Sequence, residues 1–221
     1  MTDKPIIFQG HSVLALLSGE KTQTRRVIKP QPIEDIAPED CTGYTYFDGT
    51  RDKDGVHITK WTKYCPGMRL WVKETWGVFD HCNYDGTNMG HEFAICYKAD
   101  GDDGEAYWKD SGLHNIIELV ADERWRNPMF MPRWASRITL EITDVRIQRL
   151  HDISEEDAMA EGVLEWRDGR LAGYESDNPM HCGCIASPIE CYAAMWEQIN
   201  GKKYPWESNP WVYALSFSKR R

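Results

Sequence analysis

Nowhere in the 221 residues does an apolar run approach the roughly 20 residues needed to span a bilayer. The first residues, Met1-Thr2-Asp3-Lys4-Pro5-Ile6-Ile7-Phe8, lack the long apolar core of a secretory signal. A cytoplasmic protein is expected, its seven cysteines reduced; the odd count argues against a complete disulfide framework. No phosphate-binding Gly-rich loop, dinucleotide fingerprint or Gly-x-Ser-x-Gly elbow occurs, so those chemistries have no support. Positive charge is also in short supply. The formal net charge is -9, whereas a protein that clamps many phosphates of a duplex carries a basic field. Cations gather only locally, at Lys21, Arg25, Arg26 and Lys29 and at Lys219-Arg220-Arg221. An acidic whole with a small basic mouth favours a nucleoside, a nucleotide or a short single strand over long duplex DNA.

No internal repeat and no low-complexity tract interrupts the chain. Metal ligands are not arranged convincingly either. His181-Cys182-Gly183-Cys184, followed by Cys191, puts one residue between its cysteines where a structural zinc knuckle uses two. His81, Cys82 and Cys65 could add ligands, but scattered thiols are the simpler account, and neither metal nor cofactor is expected.

What the sequence has in quantity is tryptophan. Its ten residues run along the whole chain and belong mostly in the core. Trp76 and Trp211 are the candidates to stack on a base.

The most informative stretch is Gly19-Glu20-Lys21-Thr22-Gln23-Thr24-Arg25-Arg26. Before it, Val13-Leu14-Ala15-Leu16-Leu17-Ser18 reads as a helix over residues 11 to 18, closed by Gly19. Thr22 to Ile28 suits a strand, with Thr22, Thr24 and Arg26 on one face and Gln23 and Arg25 on the other. Lys21, at the turn, is expected to reach the hydroxyl face. A lysine beside a threonine pairs a base with a nucleophile; the plain alternative is a basic, solvated strand start.

Elsewhere, Pro5 to Phe8 reads as a first strand and residues 41 to 60 as a loose hairpin. Residues 66 to 76 are a turn feeding a strand. There Glu74 ends the apolar row of Leu70 and Val72, and would face a barrel mouth or cap the strand at the surface. Phe93 to Tyr97 is a strand within a weakly patterned insertion, residues 77 to 133, and Ile138 to Ile147 alternates cleanly as another. Ser154 is an N-cap with Asp157 three residues on, a partial capping box. A second insertion, 164 to 188, precedes an amphipathic helix from Pro188 to Asn200 with Tyr192, Met195 and Trp196 inward. Trp211 to Phe217 is the last strand. Strands interleaved with a few helices, and without regular β-α-β alternation, imply an α+β barrel-like domain. One domain over residues 1 to 221 carrying the two insertions is the simplest organisation.

Gly-x-Lys-Thr-x-Thr-Arg-Arg after a short apolar helix resembles the signature of ASCH domains, small barrels related to the PUA RNA-binding fold. The block Leu150-His151-Asp152-Ile153-Ser154-Glu155-Glu156-Asp157-Ala158-Met159-Ala160-Glu161-Gly162 resembles the helix that crosses the barrel mouth in that family. Asn209-Pro210-Trp211-Val212-Tyr213-Ala214-Leu215-Ser216-Phe217 resembles its closing strand. The three blocks come in the expected order and cover about a third of the chain. Longer members of this kind are common in phages and prophages.

The resemblance to the compact bacterial members that hydrolyse N(4)-acetylcytidine implies a site of Lys21, Thr24 and Glu161. Threonine would be the nucleophile, lysine its base and glutamate the support. Substrate contacts would come from Thr22, Arg25, Arg26, Glu74, Trp76 and Trp211. Lysine acts as a base only if burial lowers its pKa, a shift that a neighbouring carboxylate opposes. Alternatively Glu161 is the base for water and Lys21 holds the oxyanion. Taken alone, Glu161 reads as a helix cap beside Gly162. Arg25, where those members tend to be apolar, departs from the pattern. The expected activity is amide hydrolysis on an acylated nucleoside. The alternative is a module that binds RNA or a modified base without chemistry, and a ribonuclease is a third reading.

Overall fold

The computed structural model describes residues 3–32, 45–51, 57–61, 63–84, 89–101, 124–165, 171–172 and 187–220. Short strands and few helices alternate along the chain. They are β1 (Lys4–Ile7), α1 (Gly10–Ser18), β2 (Gln23–Val27), β3 (Thr45–Arg51), β4 (His57–Trp61), β5 (Arg69–Lys73), β6 (Trp76–Tyr84) and β7 (Met89–Tyr97). After these come β8 (Thr139–Arg149), α2 (Glu155–Ala160), β9 (Leu164–Glu165), β10 (Leu171–Ala172), α3 (Pro188–Asn200) and β11 (Trp211–Arg220). The principal sheet has the order β1-β5-β8-β11-β2 and is mixed. β1 runs parallel to β5, and β11 antiparallel to β2. The fold is therefore α+β, and the pairings among the described residues do not close into a barrel.

The chain divides into two compact units. The first comprises Met1–Asp3, Ala15–Arg69 and Leu140–Arg221. Its core gathers Leu150, Ile153, Ala158, Val163, Cys191, Tyr192, Met195, Trp196 and Val212. α3 has the expected bounds because its apolar residues recur at helical spacing and both ends are marked. Ser187 and Glu190 form a reciprocal capping box, and Pro188 opens the first turn. β11 is buried on both faces from Trp211 to Leu215, as befits a strand with neighbours on either side. It runs three residues beyond the expected end.

The second unit comprises Lys4–Leu14 and Leu70–Thr139. Its core is Trp76, Val78, Ile95, Tyr97, Met131 and Ala135, built on the β6–β7 hairpin. Sequence periodicity found the end of β7 and missed β6, whose sequence WGVFDHCNY turns polar halfway. The hairpin at residues 41 to 60 is present as β3 and β4, with a register shift between Phe47 and Arg51. Much of both expected insertions, with His181, Cys182 and Cys184, lies outside the described residues. No helix among the described residues is long and apolar enough to cross a membrane.

Candidate functional site

The site in the first unit is laid out by two glycines and one strand. Gly19, at φ +86°, ends α1 in the left-handed region that favours glycine. The chain then folds back, and the Lys21 N–H donates to the Ala15 carbonyl at 2.9 Å. The Thr22 N–H donates to Ala160 at 2.9 Å and the Thr22 carbonyl accepts from Phe217, which ties this turn to α2 and β11. Gly162, at φ +95°, lets the chain leave α2 where a Cβ would stand 3.4 Å from that of Ala15 and 3.6 Å from that of Lys21. Glu161, the C-cap of α2, is thereby brought against Lys21.

Lys21 Nζ donates to the Glu161 carbonyl and, at 2.7 Å, to Oε2. The other carboxylate oxygen, Oε1, accepts from Arg25 Nη1 at 3.2 Å and from the Tyr192 hydroxyl at 3.4 Å. Arg25 Nη1 also donates to Gln23 Oε1, and Nη2 to Asp157 Oδ2 at 2.7 Å. Asp157 accepts further from Gln23 Nε2 at 2.9 Å and from Arg146 Nη2 at 2.9 and 3.0 Å. Ser154 accepts from the Asp157 N–H as an N-cap, but the carboxylate turns to these cations, so only half of a capping box forms. Lys21, Gln23, Thr24, Arg25 and Glu161 are all buried.

Burial pushes the Lys21 ammonium below the ordinary lysine range. Glu161 opposes that shift, and Arg26 and Arg25 add to it. The competition left open by the sequence thus resolves toward desolvation. Burial also raises the Tyr192 phenol well above its usual range, with Glu161 contributing. Burial alone would raise Asp157, but bonds from Arg146 and Gln23 and the charge of Arg25 hold it low. Arg26, in contrast to the exposed Thr22 before β2, is half-buried and within electrostatic reach of Glu161 and Tyr192. Three cations (Lys21, Arg25, Arg146) thus pair with Glu161 and Asp157, Arg146 also lies 3.7 Å from Asp144, and Arg26 stands within electrostatic reach of Glu161, so developing negative charge would form among cations.

The expected geometry is changed in one respect. The network runs along Lys21, Gln23 and Arg25, the alternate positions, while Thr24 lies between the last two and points to the opposite face. The Lys21 amine is held by Glu161 rather than simply reaching the hydroxyl face. Gln23, Asp157, Arg146 and Tyr192 were not among the expected site residues.

Glu74 belongs to the other unit, and it neither caps a strand at the surface nor stands open. It is 1% exposed and held by Arg137, with Nε on Oε1 at 3.0 Å and Nη2 on Oε2 at 2.9 Å. Arg137 also grips Asp100 through Nη1 and Nη2 at 2.6 and 2.8 Å and lies over the Tyr97 ring at 4.0 Å. Burial raises the Glu74 carboxyl against these bonds. Trp76 is buried edge-on to Trp134, with Arg126 over its ring. Trp211 is buried in the first unit under Arg149, its backbone N–H donating to Gln31 Oε1 at 2.7 Å. Both tryptophans are core residues, with indole nitrogens that have no hydrogen-bond partner among the described residues.

Among the described residues no group of three His, Cys, Asp or Glu side chains is placed to hold a metal ion, and Cys65, Cys96 and Cys191 are free thiols. Comparison of the chain with protein-family models, curated proteins and solved structures gives no match.

Proposed function

We propose that the chain is a PUA-like domain of the ASCH kind, its mixed sheet belonging to a barrel-like fold. Its activity is hydrolysis of the amide of an acylated modified nucleoside such as N(4)-acetylcytidine, free or in a short single-stranded RNA, in the cytoplasm. The observation that carries the reading is Lys21: a buried amine held below its ordinary pKa beside a buried carboxylate. Perturbation of this kind, by burial together with a specific charge partner, marks catalytic sites. In this reading the neutral Lys21 amine, held through its N–H groups by Glu161, takes a proton from water as the water oxygen attacks the acyl carbon, Thr24 being turned to the opposite face of β2. Lys21, charged once it holds that proton, and Arg26 nearby stabilise the oxyanion. The exocyclic amine of the nucleobase then leaves with that proton, and the acyl group is released as the carboxylic acid.

The test is chromatography of N(4)-acetylcytidine incubated with the wild type, Lys21→Met and Thr24→Val, each checked by thermal melting. Cytidine is expected from the wild type and from Thr24→Val, and not from Lys21→Met. No cytidine at high enzyme concentration, with salt-dependent binding of single-stranded RNA, would replace this reading by the non-catalytic one.

A further inference from the structure

We propose that Arg25 and Asp157 are positioning residues that govern the basicity of Lys21 by apportioning the negative charge of Glu161. The geometry is an alternating chain of charges: Arg146, Asp157, Arg25, Glu161, Lys21. Its contacts are 2.9 Å from Arg146 to Asp157, 2.7 Å from Asp157 to Arg25, 3.2 Å from Arg25 to Glu161 and 2.7 Å from Glu161 to Lys21. The two oxygens of Glu161 are divided. Oε2 serves Lys21 and Oε1 serves Arg25, with the Tyr192 hydroxyl on the same oxygen. Arg25 therefore competes with Lys21 for one carboxylate. Asp157, bonded through Oδ2 to the other arm of the guanidinium, decides how strongly it competes.

Burial gives this competition its weight. The Arg25 side chain is fully buried and that of Glu161 is 4% exposed, so little water screens the pair. Arg146, at the far end, is 42% exposed and connects the chain to solvent. Arg25 Nε is buried with no hydrogen-bond partner among the described residues, so the Glu161 and Asp157 contacts, one bond to Gln23 and the nearby Tyr192 ring account for the guanidinium.

The groups around Lys21 are these. β2 supplies Arg25 and Arg26, α2 supplies Asp157 and, at its C-cap, Glu161. β8 supplies Arg146 and, 3.7 Å from it, Asp144, α3 supplies Tyr192, and Tyr64 faces Arg26. α1 meets Lys21 through Ala15. Asp157 bonds to Arg25, Gln23 and Arg146, and it is through Arg25 that it reaches Glu161.

The consequence is a pair of opposite shifts. Arg25→Met frees Glu161 for Lys21 alone, and removes a cation; the amine then holds its proton to a higher pH. Asp157→Asn leaves Arg25 leaning harder on Glu161, and Lys21 releases its proton at a lower pH. Each shift is expected to be about one pH unit, the lower end of what a close charge does. Arg146→Met, at the exposed end, moves Lys21 upward by less. Arg25→Lys keeps the charge and stays near wild type.

The functional meaning rests on the hydrolase reading, but the measurement does not. Titration of the Lys21 13Cε resonance reads the amine directly in all four variants, and the acid limb of the pH–rate profile for N(4)-acetylcytidine reads it in turnover. Opposite displacements for Arg25→Met and Asp157→Asn support the proposal. Shifts of the same sign, or none in a folded Arg146→Met and Asp157→Asn, overturn it. Opposite shifts in the resonance with no turnover in any protein would leave the charge relay standing and remove the hydrolase.

Discussion

Replacing Arg137 by methionine removes the counter-ion of Glu74, a carboxylate that is 1% exposed. Left ionised and unpaired, a buried carboxylate costs about 3–5 kcal/mol. It can escape by taking up a proton. From a reference value near 4.3, that costs about 3.7 kcal/mol at pH 7 and about 1 kcal/mol at pH 5. The Glu74 charge penalty of Arg137→Met is therefore about 3–4 kcal/mol at pH 7 and shrinks to about 1 kcal/mol at pH 5, plus the lost bonds to Asp100 and the lost stacking on Tyr97. The sign agrees with the wild type. Burial already raises the folded Glu74 carboxyl, so its contribution is full below the unfolded value and is lost as pH rises through the folded one. Without Arg137 that loss moves to higher pH and deepens. Urea unfolding followed by tryptophan fluorescence at pH 5, 6 and 7 measures the difference. Adding Glu74→Leu should restore the Glu74 share of the stability at pH 7, because the buried carboxylate is then gone, while the lost bonds to Asp100 remain lost. A penalty equal at pH 5 and pH 7, or no recovery in the double variant, would refute the reasoning.

Other perturbations follow from the same contacts. Gly162→Ala places a side chain at φ +95° and against Ala15 and Lys21, so a loss of about 1–2 kcal/mol is expected in thermal melts. Ser187→Ala removes the oxygen that accepts from the Glu190 N–H, and should lower stability by about 1 kcal/mol, with the deficit visible in the same melts. Lys21 titrates below its ordinary range when folded, so its contribution is full above about pH 10.4 and is lost as pH falls through the folded value. Melting temperatures of the wild type should accordingly rise with pH on the alkaline side of neutrality, below the tyrosine range, and Lys21→Met should flatten that rise.

The elements legible in the sequence are those whose packing repeats a local period. α1 and α3 carry apolar residues at helical spacing between recognisable ends, and β8 alternates, so their positions followed. β6 was hidden because its second half is polar, and it is fixed by pairing with β7 rather than by its own pattern. In the site, Lys21 and Glu161 came from the family resemblance; spacing alone offered a helix cap. Arg25 was expected as a substrate contact rather than a partner of Glu161, and Gln23 was within reach, since both continue the alternate positions from Lys21 along the strand. Asp157 was too, four residues before Glu161 on a helix and so on the same side. Arg146, Tyr192 and the Arg137 grip on Glu74 had no local signature: they arrive from 11 to 63 residues away, through tertiary packing.

The separation of 140 residues between Lys21 and Glu161 has a temporal side. At about 5–20 residues per second, a ribosome needs roughly 7–28 s to deliver the carboxylate after the lysine. β11, the strand paired with β2, comes later still. For that interval β2 is an unpaired edge, the kind of segment that recruits other chains. Lys21, Arg25 and Arg26 keep it charged and well hydrated throughout. The cations that later crowd the buried site thus serve first as a deterrent to aggregation, and a neutral strand here would be most hazardous before the protein is complete.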